Sequence, residues 1–140
     1  LHDGVVEIWQ ADAKGSHIAP MQPGSNAVPA FTGWGRQPAN AEGVVTFETI
    51  KPGRVEGPDG KLMAPHVSLW IVARGINIGL QTRLYFADES EANKEDYVLN
   101  KIMDPRRRET LIARREDGPV PRYVLDIHLQ GDKETVFLDI

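Results

Sequence analysis

The segment MAPHVSLWIVARG (63–75) contains a nearly continuous apolar run of β-branched and aromatic residues between positions 64 and 73. This composition favours a β-strand, and the continuity of the run is typical of a central strand that is buried on both faces. Side chains alternate along a strand, so His66 and Ser68 should point to the same face. An H-x-H pair at this spacing could bind a metal, but the chain has H-x-S.

The rest of the sequence is also typical of an all-β protein. Thirteen glycines and ten prolines are dispersed between short apolar segments. Five further segments have strand patterns, and they lie at 4–11, 44–50, 80–86, 122–130 and 135–140. Six strands in this arrangement predict an all-β fold, a two-sheet β-sandwich with long irregular loops.

Helix signals are confined to 89–113, where we expect one or two short helices. Apolar residues near position 100 are spaced as one helical face. Asp104 can serve as an N-cap and Pro105 occupies the first helical position, which is a favourable start. The five arginines between 106 and 115 are interpreted as a solvated face.

Length and composition exclude several classes of protein and several kinds of site. The chain has 140 residues, the length of a single domain, so residues 1–140 are expected to form one domain that lacks an N-terminal segment. A net charge of −4 argues against a nucleic-acid partner. No apolar run is long enough to cross a membrane, and no leader sequence is recognisable, so a cytoplasmic protein is expected. Cysteine is absent, which removes disulfides, thiolate nucleophiles and cysteine-based zinc sites.

Two residues of the central strand have alternative interpretations. His66 is either a hydrogen-bonded core histidine or part of a metal site. Arg74 is either a surface arginine at a strand end or a guanidinium that recognises an anion or carboxylate, on this chain or on another subunit. At about 3.3 Å per residue, the eight positions between them span roughly 26 Å. They cannot serve the same site. The irregular segment 12–43 is long enough to be functional or interfacial.

Several stretches together resemble one family, the intradiol ring-cleaving dioxygenases. They are VEIWQADAKG (6–15), GWGRQPANAEGVVTFETIKPG (33–53), MAPHVSLWIVARGINIGLQTRLYFADE (63–89), RRETLIARRE (107–116) and RYVLDIHLQGDKETVFLDI (122–140). The resemblance covers nearly the whole chain, in order and without large gaps. It is much more specific than any single motif.

The resemblance implies four positions for metal ligands. Iron-bearing chains of the family hold Fe(III) with two tyrosines and two histidines, a ligand set that suits a hard ferric ion. The first tyrosine position corresponds to His17, and the second to Val55 or its neighbour Arg54. The histidine pair corresponds to His66 and Ser68. The chain's own tyrosines, Tyr85, Tyr97 and Tyr123, fall elsewhere in the pattern.

The resemblance therefore implies a chain that has lost its metal centre. It is similar to the non-metal alpha subunit of a two-chain enzyme, whose Fe(III) cofactor is expected on a homologous beta subunit in a higher oligomer of alpha–beta pairs. Arg74 is then expected to line the pocket of the partner's site. Trp34, with the nearby Phe31 and Pro29, is a candidate for the subunit contact.

The implied reaction is cleavage of 3,4-dihydroxybenzoate, a small aromatic acid, by O2 to 3-carboxy-cis,cis-muconate. Two alternatives remain open at the level of the sequence. One is a self-sufficient iron dioxygenase with a rearranged ligand set. The other is a sandwich-type binding or structural module that has kept the fold and lost the chemistry.

Overall fold

The computed structural model describes residues 4–16, 32–73 and 79–138, and within them the chain is mostly extended, with a few short helices. The strands, in chain order, are β1 (Val5–Gln10), β2 (Trp34–Pro38), β3 (His66–Val72), β4 (Leu80–Phe86), β5 (Ile112–Glu116) and β6 (Arg122–Val124). The helices are α1 (Ser90–Glu95), α2 (Tyr97–Asn100), α3 (Pro105–Arg108) and a 3₁₀ turn at Glu109–Leu111.

The six described strands form one sheet in the order β2-β1-β3-β4-β5-β6. Neighbouring strands are antiparallel except β4 and β5, which pair in parallel through two positions. β3 is hydrogen-bonded on both sides, to β1 and to β4. The prediction that 64–73 is a central strand is therefore confirmed.

The two faces of β3 are buried to different extents. Val67, Leu69 and Ile71 point to a buried face. Phe47 and residues of the segment 123–127 pack there against the cluster that contains Val67 and Leu69. On the other face His66 is buried, but Trp70 and Val72 are 37% and 43% exposed. The expectation of burial on both faces therefore fails for the second half of the strand. The helical segment packs against the end of the sheet where Tyr85 faces His66.

The predicted all-β class with a few short helices is confirmed, whereas a two-sheet sandwich is not. Segment 44–50 was predicted as a strand but forms none, and a side chain of β1 hydrogen-bonds its last two residues where a strand would have ladder bonds. The Gln10 side chain donates to the Ile50 carbonyl at 2.6 Å and accepts from the Thr49 hydroxyl at 2.9 Å. The described residues of 135–140 form no strand either, and only the first three residues of 122–130 do.

The predicted helical region contains the observed helices. The Asp104 side chain accepts from the Arg106 amide at 2.9 Å and Pro105 opens α3, as expected. This helix is short, because Ile112 and Ala113 pair with β4 and draw the chain into β5. β2 and β5 were not predicted from the sequence. No helix in the described part of the chain is long and apolar enough to span a membrane.

Candidate functional site

The structure describes three of the five predicted site residues. Val55 precedes β3, and His66 and Ser68 lie on it, two residues apart on one face. His17 and Arg74 lie outside the described residues. The site can therefore be built from the strand outward, through the segments that reach positions 55, 66 and 68.

Two turns that the resemblance associates with ligand positions pack against each other. The Asp12 carboxylate accepts from the amides of Lys14 and Ser16, both at 2.9 Å, which closes the first turn. The Gly53 amide donates to the Asp12 carbonyl at 2.8 Å. Gly15 has φ +82° and lies so close to the second turn that a Cβ there would be 2.1 Å from the Arg54 carbonyl oxygen. Only glycine permits this approach.

Position 55 is joined to the start of β3 by the backbone. The Met63 amide donates to the Val55 carbonyl at 2.7 Å. Arg54, the alternative for this position, bonds the carbonyls of Met63 and Leu62 at 3.0 and 2.9 Å and pairs with Glu95 at 3.0 Å. Its side chain is committed to structural contacts and offers no metal-donor atom.

His66 belongs to a buried polar network. Its Nδ1 lies 2.8 Å from the Ala64 carbonyl oxygen, a hydrogen bond in which the imidazole donates. Across the ladder it faces Tyr85, with the ring centroids 5.8 Å apart. The Tyr85 hydroxyl donates to the buried Asp96 carboxylate at 3.0 Å. Burial, and then the charge of Asp96, raises the pKa of Tyr85 well above its ordinary value, so the phenol remains a neutral donor.

Asp96 fixes this network in place. Its side chain accepts from the amides of Val98 and Leu99 at the start of α2, both at 2.9 Å. It also accepts from the Ala64 amide at 2.8 Å, two residues before β3. A single buried carboxylate therefore joins the helical segment to the strand that presents His66.

Sequence reasoning missed Arg83, which lies opposite Ser68 in the β3–β4 pairing. Its Nη1 is 3.4 Å from the Tyr85 hydroxyl and 3.5 Å from the Met63 sulfur. Its Nε is buried with no hydrogen-bond partner among the described residues. The register that places it there depends on long-range strand pairing, so no local pattern could have indicated it.

These positions do not fit a ferric ion. Val55 has no donor atom in its side chain, Ser68 offers a neutral hydroxyl, and a permanent cation lies opposite Ser68. Across 4–16, 32–73 and 79–138, no group of three or more histidine, aspartate or glutamate side chains could hold a metal ion. The donor set lacks the anionic oxygen ligands that Fe(III) prefers.

The exposed face of the sheet begins where this network ends. Trp9 faces both Trp34 and Ser68 in the strand pairing, and Trp70 follows two residues after Ser68. Trp9 and Trp34 are about half exposed. Trp70 packs on Gly79, where a Cβ would come within 2.3 Å of the indole ring. We call Trp9, Trp34 and Trp70 the tryptophan face. Large aromatic side chains grouped at a surface are typical of protein–protein contacts.

Comparison with known proteins finds relatives that are chains of the same enzyme, although no family model matches the chain. The chain is 47% identical to the protocatechuate 3,4-dioxygenase alpha chain of Pseudomonas putida, over 99% of its own length and 68% of that protein. It is 37% identical to the alpha chain from Burkholderia cepacia, over its whole length and 70% of that protein. It is also 29% identical to the Burkholderia cepacia beta chain, over 96% of this chain and 60% of that one.

A solved structure supports the fold. The 3-chlorocatechol 1,2-dioxygenase of Rhodococcus opacus matches with a TM-score of 0.54 over 88% of this chain and 50% of that one, at 21% identity. The sequence relatives and this structure agree on intradiol dioxygenases. The chain belongs to the protocatechuate 3,4-dioxygenase alpha-chain family, whose members are subunits of an oxidoreductase.

Proposed function

We propose that this chain is the non-metal alpha subunit of a protocatechuate 3,4-dioxygenase and that it works in a hetero-oligomer with a homologous, iron-bearing beta subunit. The observation that carries the proposal is the mismatch between family and donor set. The chain is 47% identical to an alpha chain, yet position 55 is a valine and position 68 a serine. The metal chemistry then belongs to the partner.

The proposed reaction is intradiol cleavage of 3,4-dihydroxybenzoate. The bond between the two hydroxylated carbons breaks, and both atoms of O2 enter the product, 3-carboxy-cis,cis-muconate. Fe(III) on the beta chain supplies the oxygen chemistry. The contribution of the alpha chain is to complete the wall of the pocket and to favour the anionic substrate.

Arg74 is the residue that we assign to this contribution. It follows the last residue of β3 by two positions in the sequence. A guanidinium binds a carboxylate with two parallel hydrogen bonds, a geometry that lysine does not reproduce. The proposed role is recognition of the substrate carboxylate in the pocket of the partner beta subunit.

The partner is proposed to cover the tryptophan face. Trp70 and Val72 are exposed on the strand that leads to Arg74, and Trp9 and Trp34 extend the same face across β1 and β2. A beta chain seated there would bury aromatic side chains of the kind that contribute most to binding energy.

The finer features of the fold are proposals as well. Residues 1–140 are proposed to form a single domain. The extended segments around 44–50 and 123–127, whose side chains pack on the buried face of the sheet, are proposed to form the second layer of a sandwich. A cytoplasmic location is proposed for the assembled enzyme.

The test is to purify the chain alone and co-expressed with a homologous beta chain that carries both tyrosines and an intact H-x-H. Iron content is measured by mass spectrometry, and ring cleavage is followed by O2 uptake with 3,4-dihydroxybenzoate. We expect iron and activity only in the complex. Stoichiometric ferric iron in the chain alone would show a rearranged iron site. If no complex forms, the chain is a binding or structural module.

Arg74→Ala in the complex tests the pocket role. Loss of a charge-assisted contact should lower kcat/KM by about 10- to 150-fold. Arg74→Lys keeps the charge and loses the paired geometry, so it should recover only part of that loss. If Arg74→Ala leaves kcat/KM unchanged, Arg74 does not contact the substrate.

A further inference from the structure

Arg83 lies beside the metal-ligand positions that the family resemblance places on and before β3. It is directly opposite Ser68. It contacts Met63, whose amide donates a hydrogen bond to the Val55 carbonyl, and it contacts Tyr85, which faces His66. Arg83 is thus directly opposite position 68, and a single intervening residue connects it to position 55 and to position 66.

The surroundings of Arg83 place the cation near a buried anion. The Tyr85 hydroxyl lies between the guanidinium and the Asp96 carboxylate, at 3.4 Å from the first and 3.0 Å from the second. Asp96 is completely buried. A buried carboxylate needs positive charge or hydrogen-bond donors nearby. Arg83 supplies positive charge on the side of the network that faces Ser68.

A guanidinium at this place is also incompatible with a metal ion. Arginine has donor groups only and does not lose its proton in proteins, so it cannot become a ligand at any working pH. Its charge repels a cation bound beside it, and the repulsion grows in a site with little water. Replacing the lost ligands would leave this obstacle in place.

We propose that Arg83 is the resident cation of the former metal site: it takes over the role of local positive charge and excludes ferric iron. This inference rests on the proposed function, because it takes the chain to be descended from an iron-bearing fold. It goes further in naming a residue that keeps iron out independently of the missing ligands.

The experiment restores the ligands and varies residue 83. The starting variant combines His17→Tyr, Val55→Tyr and Ser68→His, and it is prepared with Arg83 retained, with Arg83→Gln and with Arg83→Lys. Lysine keeps the charge and glutamine removes it, so the two substitutions are a matched pair. Circular dichroism and thermal unfolding verify the fold, and Arg83→Met is a second neutral variant if glutamine does not fold.

Ferric iron is titrated into each protein, and binding is read by metal analysis and by the visible phenolate charge-transfer band. We expect the neutral variants to bind iron at least tenfold more tightly than the arginine and lysine forms. Stoichiometric iron in the form that retains Arg83 would overturn the proposal. So would equal binding in the neutral and charged forms, including no binding in any of them.

The unmodified chain separates this proposal from the proposed function. If it is free of iron while residue 83 has no effect on the restored variants, only the assignment of Arg83 fails. If the unmodified chain itself holds stoichiometric iron, the proposed function fails.

Discussion

Asp96 is the buried carboxylate that joins the helical segment to the start of β3, and its removal should cost more stability than loss of an ordinary helix cap. It accepts four hydrogen bonds of 2.8–3.0 Å, from three backbone amides and the Tyr85 hydroxyl. Asp96→Ala removes the cap, worth about 1 kcal/mol. It also leaves the Ala64 amide and the Tyr85 hydroxyl buried and unpaired, at about 1–3 kcal/mol each.

We therefore expect Asp96→Ala to lower the free energy of unfolding by about 3–5 kcal/mol, after some relaxation of the structure and entry of water. This is a large part of the roughly 5–15 kcal/mol that stabilises a typical domain. Asp96→Asn should cost less, about 1–3 kcal/mol, because its amide oxygen can still accept from the helix while its NH2 group faces the Ala64 amide. Urea unfolding followed by circular dichroism measures both changes.

Asp104 provides the matched control, since it is also an aspartate N-cap. Its side chain accepts from the Arg106 amide at 2.9 Å but is 45% exposed, so water can replace it. Asp104→Ala should cost about 0.5–1 kcal/mol. If Asp96→Ala and Asp104→Ala cost the same, the tertiary bonds of Asp96 contribute no stability and the reasoning is refuted. Tyr85→Phe should cost about 1 kcal/mol, because it removes one of the four bonds.

Three other changes test separate features. Gly79→Ala should lower the free energy of unfolding in urea by about 1–3 kcal/mol, because a Cβ would lie 2.3 Å from the Trp70 indole. Gly118→Ala is the near-neutral control, because its Cβ would lie 3.7 Å from the Val120 carbonyl oxygen. Trp70→Ala should weaken a complex with the beta chain by about 30-fold or more in a titration, as expected of an interface anchor. Lys51→Met should make the stability of the protein less sensitive to acid. Burial raises the pKa of Asp88, but hydrogen bonds from Tyr123 and Lys51 outweigh it and lower that pKa below its ordinary value of 3.8. The stabilisation by ionised Asp88 is therefore present above pH 3.8 and is lost as the pH falls below that value. The stability difference between Lys51→Met and the unmodified chain should thus shrink from pH 7 to pH 3 in urea unfolding, and a constant difference would contradict the pairing.

The sequence was sufficient for features that depend on local chemistry. Alternation along β3 placed His66 and Ser68 on one face, and the pairing with Tyr85 and Arg83 confirms it. The start of α3 followed from Asp104 as N-cap and the proline after it. In both cases the signal lies within a few residues and needs no partner elsewhere in the chain.

Features that depend on distant partners were not predictable in the same way. Segment 44–50 has a high strand propensity, but the Gln10 side chain hydrogen-bonds the Ile50 carbonyl and the Thr49 hydroxyl, 40 and 39 residues away. Asp126 pairs with Arg114 on β5 at 3.3 Å, and no local pattern indicates this pair. Arg83 lacked any local signal. Which residues meet across strands is set by register, and register is set by the whole sheet.

The two ends of β3 suggest how a subunit can lose one role and keep another. At the His66 end, helices bury the strand, and hydrogen bonds to Asp96 and contact with Arg83 stabilise the network. At the Trp70 end the same face is open. Under the proposed function the His66 end needs no access for a ligand, so it can be buried and can hold a charged side chain without affecting the Trp70 end. A partner that binds the open end needs only a rigid strand beneath it, and the closed end supplies that rigidity. Loss of the metal and retention of the interface are thus compatible within one strand.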